Sequence, residues 1–158
     1  MAKLSCVLDA SGINRSSLDF TRGGYGIPSS VLSELKDERV RSRVEDSIRV
    51  GDVTVVAPGG DSLEKASATA KETGDISSLS RPDLDVLAAA IEHGLTIVSD
   101  DYAIQNTAAR LGIRVEATSQ KAISRQLTWV WSCEGCGRKM EGPGACGVCG
   151  HKARKRPA

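Results

Sequence analysis

The stretch Ser80-Arg-Pro-Asp83-Leu-Asp-Val-Leu-Ala-Ala-Ala-Ile-Glu-His93-Gly94-Leu-Thr-Ile-Val98-Ser-Asp100-Asp101 decides the fold. Ser80 and Asp83 have the spacing of a capping box, in which a serine side chain and an acid three residues later satisfy the first free N–H groups of a helix. The apolar-rich run Leu84–His93 follows, and Gly94 supplies a helix stop. Leu95–Val98 is then a short apolar run that halts at acids, the pattern of a strand buried on both faces. A capped helix feeding such a strand through one glycine is half of an α/β unit.

The same alternation extends in both directions. Leu4–Leu8 reads as a first buried strand ending at Asp9, and residues 52–57 as a second, broken by Pro58-Gly-Gly. Ile113–Glu116 reads as a fourth. Between them lie a helix after Pro28 with Val31, Leu32 and Leu35 at helical spacing, and an amphipathic helix over 37–50 with a stripe of Val40, Val44 and Ile48. Further helices are expected over 61–73, closed by Gly74, and over Tyr102–Leu111, closed by Gly112. Strands alternating with helices of this length predict an α/β domain, a central parallel sheet flanked by helices in three layers. The Gly-rich loop Thr21–Gly26 lacks the Lys-Ser/Thr pair of a phosphate-binding P-loop and borders the substrate path instead.

Beyond residue 117 the character changes. Six glycines fall between Gly135 and Gly150, too many for a self-supporting apolar core. The formal net charge of +1 divides at the same place: residues 121–158 carry +6 and residues 1–120 carry −5. The expected organisation is therefore a body over 1–117, a linker over 118–126, a small module over 127–151 and a basic tail over 152–158. The apolar runs are too short to span a membrane, and the N-terminus meets Asp9 before a signal-peptide core could be completed, so a cytoplasmic protein is expected. Five aromatic residues in 158 argue against recognition by stacking many bases, leaving electrostatics for any contact with nucleic acid.

Cys133-Glu-Gly-Cys136 and Cys146-Gly-Val-Cys149 are two C-x2-C pairs nine residues apart. Four thiolates so spaced can close a tetrahedral site around one structural Zn²⁺, and Gly137 and Gly150 follow each second cysteine, where the knuckle turns tightly. A pair of disulfides is the structural alternative, disfavoured in a reducing cytosol. Cys6 reads as a small core residue, and neither His93 nor His151 is placed for nucleophilic catalysis.

Functional groups in a parallel α/β sheet collect beyond the C-terminal strand ends. Asp9 ends the first strand, Asp100 and Asp101 follow the third, Asp83 opens the helix running back into it, and Glu34 lies on the helix after Pro28. Acids gathered there repel one another unless a hard cation joins them, which predicts one or two Mg²⁺ or Mn²⁺ ions. Each has a structural alternative: Asp83 as the capping-box acid, Asp100 as a helix N-cap, Glu34 as a solvated helix residue. Asp19, Asp61, Asp75 and Asp85 read as surface or capping residues, with Asp85 able to reach the rim.

Val7-Leu-Asp9-Ala-Ser, Glu34 in Val-Leu-Ser-Glu-Leu, Asp83 in its Pro-Asp-Leu-Asp context and Ser99-Asp-Asp101-Tyr together resemble the PIN-domain nucleases. With Thr-Gly-Asp-Ile-Ser-Ser-Leu-Ser, Ser-Asp-Asp-Tyr-Ala-Ile-Gln-Asn and the C-terminal four-cysteine ribbon, the chain looks like the archaeal form of the Nin-one-binding protein family. That resemblance implies a metal-dependent endoribonuclease that trims the 3′ end of precursor small-subunit ribosomal RNA, with that RNA and the pre-ribosomal small subunit as partners. It implies Asp9, Glu34, Asp83 and Asp101 as catalytic acids, Ser99 and Asp100 as supporting residues, and the ribbon as an RNA handle. Arg138, Lys139, Lys152, Arg154, Lys155 and Arg156 are its candidate RNA contacts. The competing readings are a toxin-type PIN ribonuclease and a non-catalytic zinc-ribbon adaptor on pre-ribosomal RNA.

Overall fold

The structure is a computed structural model, described here for residues 3–14, 18–118, 123 and 125–158. Five parallel strands form the main sheet: β1 (Cys6–Leu8), β2 (Tyr25–Pro28), β3 (Val53–Val56), β4 (Thr96–Val98) and β5 (Val115–Glu116). The helices are α1 (Ala10–Ile13), α2 (Ser29–Glu34), α3 (Glu38–Val50), α4 (Gly60–Thr73), α5 (Arg81–His93) and α6 (Tyr102–Leu111). The predicted glycine stops hold, with Gly74, Gly94 and Gly112 each in the left-handed conformation that ends its helix. Val7, Leu8, Ile27, Leu87, Ile97 and Ile104 are sealed in the core.

Strand order is β3-β2-β1-β4-β5. The chain therefore winds outward in one direction through β2 and β3 and in the other through β4 and β5. The reversal falls between β1 and β4, and such a switch point opens a crevice beyond the strand ends. None of the described helices is long and apolar enough to cross a membrane.

Two elements differ from expectation. Tyr25–Pro28, read as loop and helix entrance, is an inner strand between β1 and β3. Gly26 suits it, because a Cβ there would press on Leu4 and Val56 at 3.2 Å. The Gly23-Gly24 turn consequently lies before β2, at the N-terminal edge of the sheet, where the Gly24 carbonyl accepts from Ser5 and Cys6 N–H. That is the edge away from Asp9, so the loop does not border the candidate site.

The second difference is at the C-terminus. β6 (Trp129–Cys133) pairs antiparallel with β7 (Lys139–Met140) and with β8 (Ala153–Pro157). Residues read as a basic tail thus form a strand of the cysteine module, with five residues in register against β6. A charged strand is stable there because its ladder is made of backbone groups and alternate side chains face solvent. Of the expected linker over 118–126, residues 119–122 and 124 lie outside the described residues.

Candidate active site

Asp9 follows β1 directly and caps α1, accepting the Gly12 N–H at 2.7 Å. It is 4% exposed, and a carboxylate so placed needs donors. Two serines provide them. Ser99, fully buried after β4, donates to Asp9 Oδ2 at 2.5 Å and accepts the Asp101 N–H at 3.0 Å. Ser11 donates to both carboxylate oxygens at 2.8 and 2.9 Å and accepts the Asp100 N–H at 3.0 Å. Each hydroxyl thereby bridges the acid of β1 to one peptide of the dipeptide after β4, across the switch point.

Burial pushes the Asp9 carboxyl above its ordinary value; the Ser99, Gly12 and Ser11 hydrogen bonds pull it back in part, and the nearby charge of Asp101 adds to the rise. Asp101 is the N-cap of α6, its Oδ1 accepting from Ala103 and Ile104 N–H. The cap is therefore Asp101 and not Asp100. Asp100 is buried and its carboxylate binds Thr118, accepting the Thr118 N–H at 2.8 Å and its hydroxyl at 2.7 Å. Backbone donors thus hold Asp101 beside Asp9, while Asp100 ties down the chain leaving β5.

Asp83 closes the expected capping box with Ser80: its Oδ2 accepts the Ser80 N–H at 2.7 Å. Because α5 leads back into β4, its first turn stands over the same sheet edge as Asp9. Glu34 ends α2 and is exposed. Among the described residues, no three of these carboxylates converge to metal-ligand spacing, and no Lys or Arg pairs with Asp9, Asp83 or Asp101. Oxygen donors such as those of Asp9, Asp83 and Asp101 suit a hard cation such as Mg²⁺, which keeps several waters and takes only one or two protein carboxylates.

Three residues escaped the sequence reading. Ser11 sits two positions after Asp9, a local signal of a carboxylate that orders its own turn. Asp85 is buried, bonded to Ser30 Oγ at 2.5 Å and Arg81 Nε at 3.1 Å, so it joins the start of α2 to α5. Gly12 matters through closeness: a Cβ there would stand 2.5 Å from the Val98 carbonyl oxygen and 3.3 Å from Asp9 Oδ1. Gly12→Ala is expected to lower stability by about 1–3 kcal/mol, since backbone must move to admit the methyl. Urea unfolding with an unchanged m-value checks this; equal midpoints would contradict the packing described.

The four thiols of Cys133, Cys136, Cys146 and Cys149 all lie within 4.8 Å of one another, the only such donor set among the described residues. Cys133 and Cys149 sulfurs are 3.2 Å apart, Cys136 and Cys146 3.8 Å. The two knuckles repeat one geometry. Cys133 O accepts from Gly137 N–H and Cys146 O from Gly150 N–H, both glycines having positive φ. Backbone N–H groups of Cys149 and Val148 hold the Cys146 thiol down to about 6, so it is ready to ligate as thiolate. His151 stays outside the set, with its carbonyl accepting the Cys146 N–H.

Directly opposed residues of antiparallel strands share a face. Lys139 and Arg154 both oppose Ser132, and Arg156 opposes Val130 two residues along, so Lys139, Arg154 and Arg156 occupy one face of the module, all exposed. Arg138 and Lys152 are exposed at its turns. Lys155, expected among the RNA contacts, lies on the opposite face: its Nζ stands 5.6 Å over the Trp129 ring and donates to Ser78 Oγ at 2.9 Å.

A family profile described as a PIN domain of ribonuclease matches residues 6–92. The chain is 38% identical to the Pyrococcus abyssi endoribonuclease Nob1, over 99% of this chain and 96% of that protein. It is also 35% identical to the Thermoplasma acidophilum ribonuclease VapC1, over 94% of this chain and 76% of that one. With the Saccharomyces cerevisiae 20S-pre-rRNA D-site endonuclease NOB1 it shares 31% identity over 63% of this chain and 22% of that protein. Neither the toxin-type nor the adaptor reading is favoured by this pattern. A sheet with its acids at the switch point, a matching ribonuclease profile and Nob1 relatives along nearly the whole chain lead to one assignment: the chain belongs to the PIN-domain endoribonucleases, in the archaeal Nob1 family with its C-terminal four-cysteine module.

Proposed function

We propose that this endoribonuclease cleaves precursor small-subunit ribosomal RNA at its 3′ end, on the pre-ribosomal small subunit in the cytoplasm. Asp9, Glu34, Asp83 and Asp101 act as the catalytic acids, in a body spanning residues 1–117. The observation that carries this reading is the buried Asp9, bridged by Ser99 to Asp101 across the switch point and, among the described residues, without a Lys or Arg partner. One or two Mg²⁺ or Mn²⁺ ions bound there supply a water of lowered pKa and positive charge for the leaving oxygen. Ser99 and Ser11 fix the Asp9 carboxylate in one orientation, so that it is held in place before an ion arrives. Asp101 presents its second oxygen while its first is held by the α6 N–H groups. The deciding experiment is cleavage of a precursor fragment spanning the mature 3′ end, with product ends mapped, with and without Mn²⁺. Cleavage at that end only with metal is expected; metal-independent or scattered cleavage refutes the reading.

The four-cysteine module, over 127–151 and continued by β8, binds one structural Zn²⁺. Tetrahedral thiolate ligation at about 2.3 Å requires sulfur separations of about 3.8 Å, which the cluster approaches before any ion is placed. The exposed face of Lys139, Arg154 and Arg156, flanked by Arg138 and Lys152, meets RNA phosphates. It supplies the affinity that a body of net −5 cannot. The double change Arg154→Ala with Arg156→Ala is expected to weaken RNA binding and reduce the slope of log K against log salt by about 1–2, as up to two phosphate contacts are lost. Filter binding across a salt series reads the slope; an unchanged slope places the contacts elsewhere.

A further inference from the structure

We propose that Asp75 and Asn106 form a latch that docks the cysteine module rigidly on the nuclease body, making them positioning residues for the RNA. Asp75, expected as a surface or capping residue, is 2% exposed after α4. Its Oδ2 accepts from Thr73 Oγ1 at 2.6 Å, Asn106 Nδ2 at 2.7 Å and Thr107 Oγ1 at 3.3 Å. A carboxylate only accepts, so it compels the Asn106 amide to turn its nitrogen inward and fixes which way the oxygen points. That amide then closes a two-bond ring with Leu127: Nδ2 donates to the Leu127 carbonyl at 2.7 Å, and the Leu127 N–H donates to Oδ1 at 2.7 Å. Asn106 thereby acts toward residue 127 as a neighbouring strand would, two residues before β6 begins.

Three further contacts surround the latch. Gly74 has no Cβ where one would stand 2.2 Å from the Trp129 carbonyl, so β6 lies directly on the end of α4. Lys155 reaches across Trp129 to Ser78. Gln105 Oε1 accepts the Ile123 N–H while its Nε2 donates to the Ser99 carbonyl, at 2.9 and 3.2 Å. Asn106 is also five residues along α6 from Asp101, the acid that caps that helix. The module and the acidic edge are consequently held by one rigid element, and the cationic face stands at a set offset from the scissile phosphate. A module on a free tether would search for its RNA site at an effective concentration set by the tether; a docked one binds already oriented.

The test uses the full zinc-loaded chain and ¹⁵N relaxation. Body and module amides are expected to share one rotational correlation time in the wild type. In Asn106→Ala, and in Gly74→Ala, which pushes on Trp129 without removing a buried hydrogen bond, module amides are expected to tumble faster while zinc content and module chemical shifts persist. Independent tumbling in the wild type overturns the proposal, as does rigid docking retained in both variants. If Asn106→Ala does not fold, the Gly74→Ala result alone decides. A second arm rests on the nuclease reading. Cleavage of an RNA long enough to engage both units is expected to show KM raised about tenfold with kcat nearly unchanged, and a short oligonucleotide no change. Tumbling is read without cleavage, so failure of the latch and failure of the nuclease assignment give different results.

Discussion

Asp9→Asn is expected to lower the rate of RNA cleavage by roughly 10³-fold or more at saturating Mn²⁺, while leaving the fold intact. The size follows from the several kcal/mol that a catalytic ion contributes to charge stabilisation, at about 1.4 kcal/mol per factor of ten. Asp9 is the most buried of the four proposed catalytic acids and the one whose position both serines fix. Asn keeps the shape, and the Ser11 and Ser99 hydroxyls can turn to accept from its amide. Stability provides the control. The folded-state pKa of Asp9 is raised above its ordinary 3.8, so the native state holds this proton more tightly than the unfolded chain. Stability from this group therefore falls as pH rises from 3.8 through the folded value, and near pH 7 the cost of ionising it is fully present. Removing the charge removes that cost, so metal-free Asp9→Asn is expected to be at least as stable as wild type near neutrality. Mn²⁺ should raise the wild-type Tm, by linkage worth about 2.7 kcal/mol at a hundred times Kd, and leave the variant unmoved. Retained cleavage, or an equal Mn²⁺ shift in both proteins, would sink the assignment of Asp9.

What could be read before the structure was whatever is written locally. Ser80 to Asp83, Gly94 and the run to Val98 specify a capped helix, its stop and the following strand within about twenty residues, and the two cysteine knuckles repeat one short turn. The acids were legible as residues at strand ends, because a chain leaving a parallel sheet must pass the functional edge. What escaped depends on partners far away. β2 is a strand because β1 and β3 pair with it on both sides, which Gly-Tyr-Gly-Ile-Pro does not announce. Asp75 looks like any loop acid until Asn106, 31 residues on, meets it in the interior. β8 has the composition of a solvated tail, and only the facing ladder of β6 turns it into structure. Which of Asp100 and Asp101 caps α6 is decided by backbone geometry: the Asp100 carboxylate binds Thr118 and Asp101 caps the helix, a distinction of one residue that no spacing rule carries.

Cys146→Ser, or chelation of the ion, is expected to unfold the C-terminal module while α1–α6 persist. A segment of about thirty residues containing six glycines buries little apart from Cys133, Cys146 and Ser132. A core so small supplies at most about 3–5 kcal/mol, whereas ligation by four thiolates contributes about 10–16 kcal/mol at neutral pH. The metal term therefore decides whether the module exists. Cys146 is the most informative cysteine to replace, since it is buried and the Cys149 and Val148 N–H groups lower its thiol to about 6. Serine keeps the size and loses the soft ligand. Composition makes the two units separately visible: both tryptophans, Trp129 and Trp131, lie in β6, and α1–α6 lie in the body. Tryptophan emission is expected to shift to that of exposed indole, zinc to fall from one per chain to none, and far-UV helical signal to remain. The body keeps its core but loses the Leu127 contact with Asn106, so its own transition should move down slightly and RNA affinity should drop with the loss of the Arg154 and Arg156 face. Unchanged tryptophan emission on zinc loss would mean that β6 is held by the latch alone. Simultaneous loss of the helical signal would mean that the body depends on the module for its stability, which its continuous core from Val7 to Ala108 argues against.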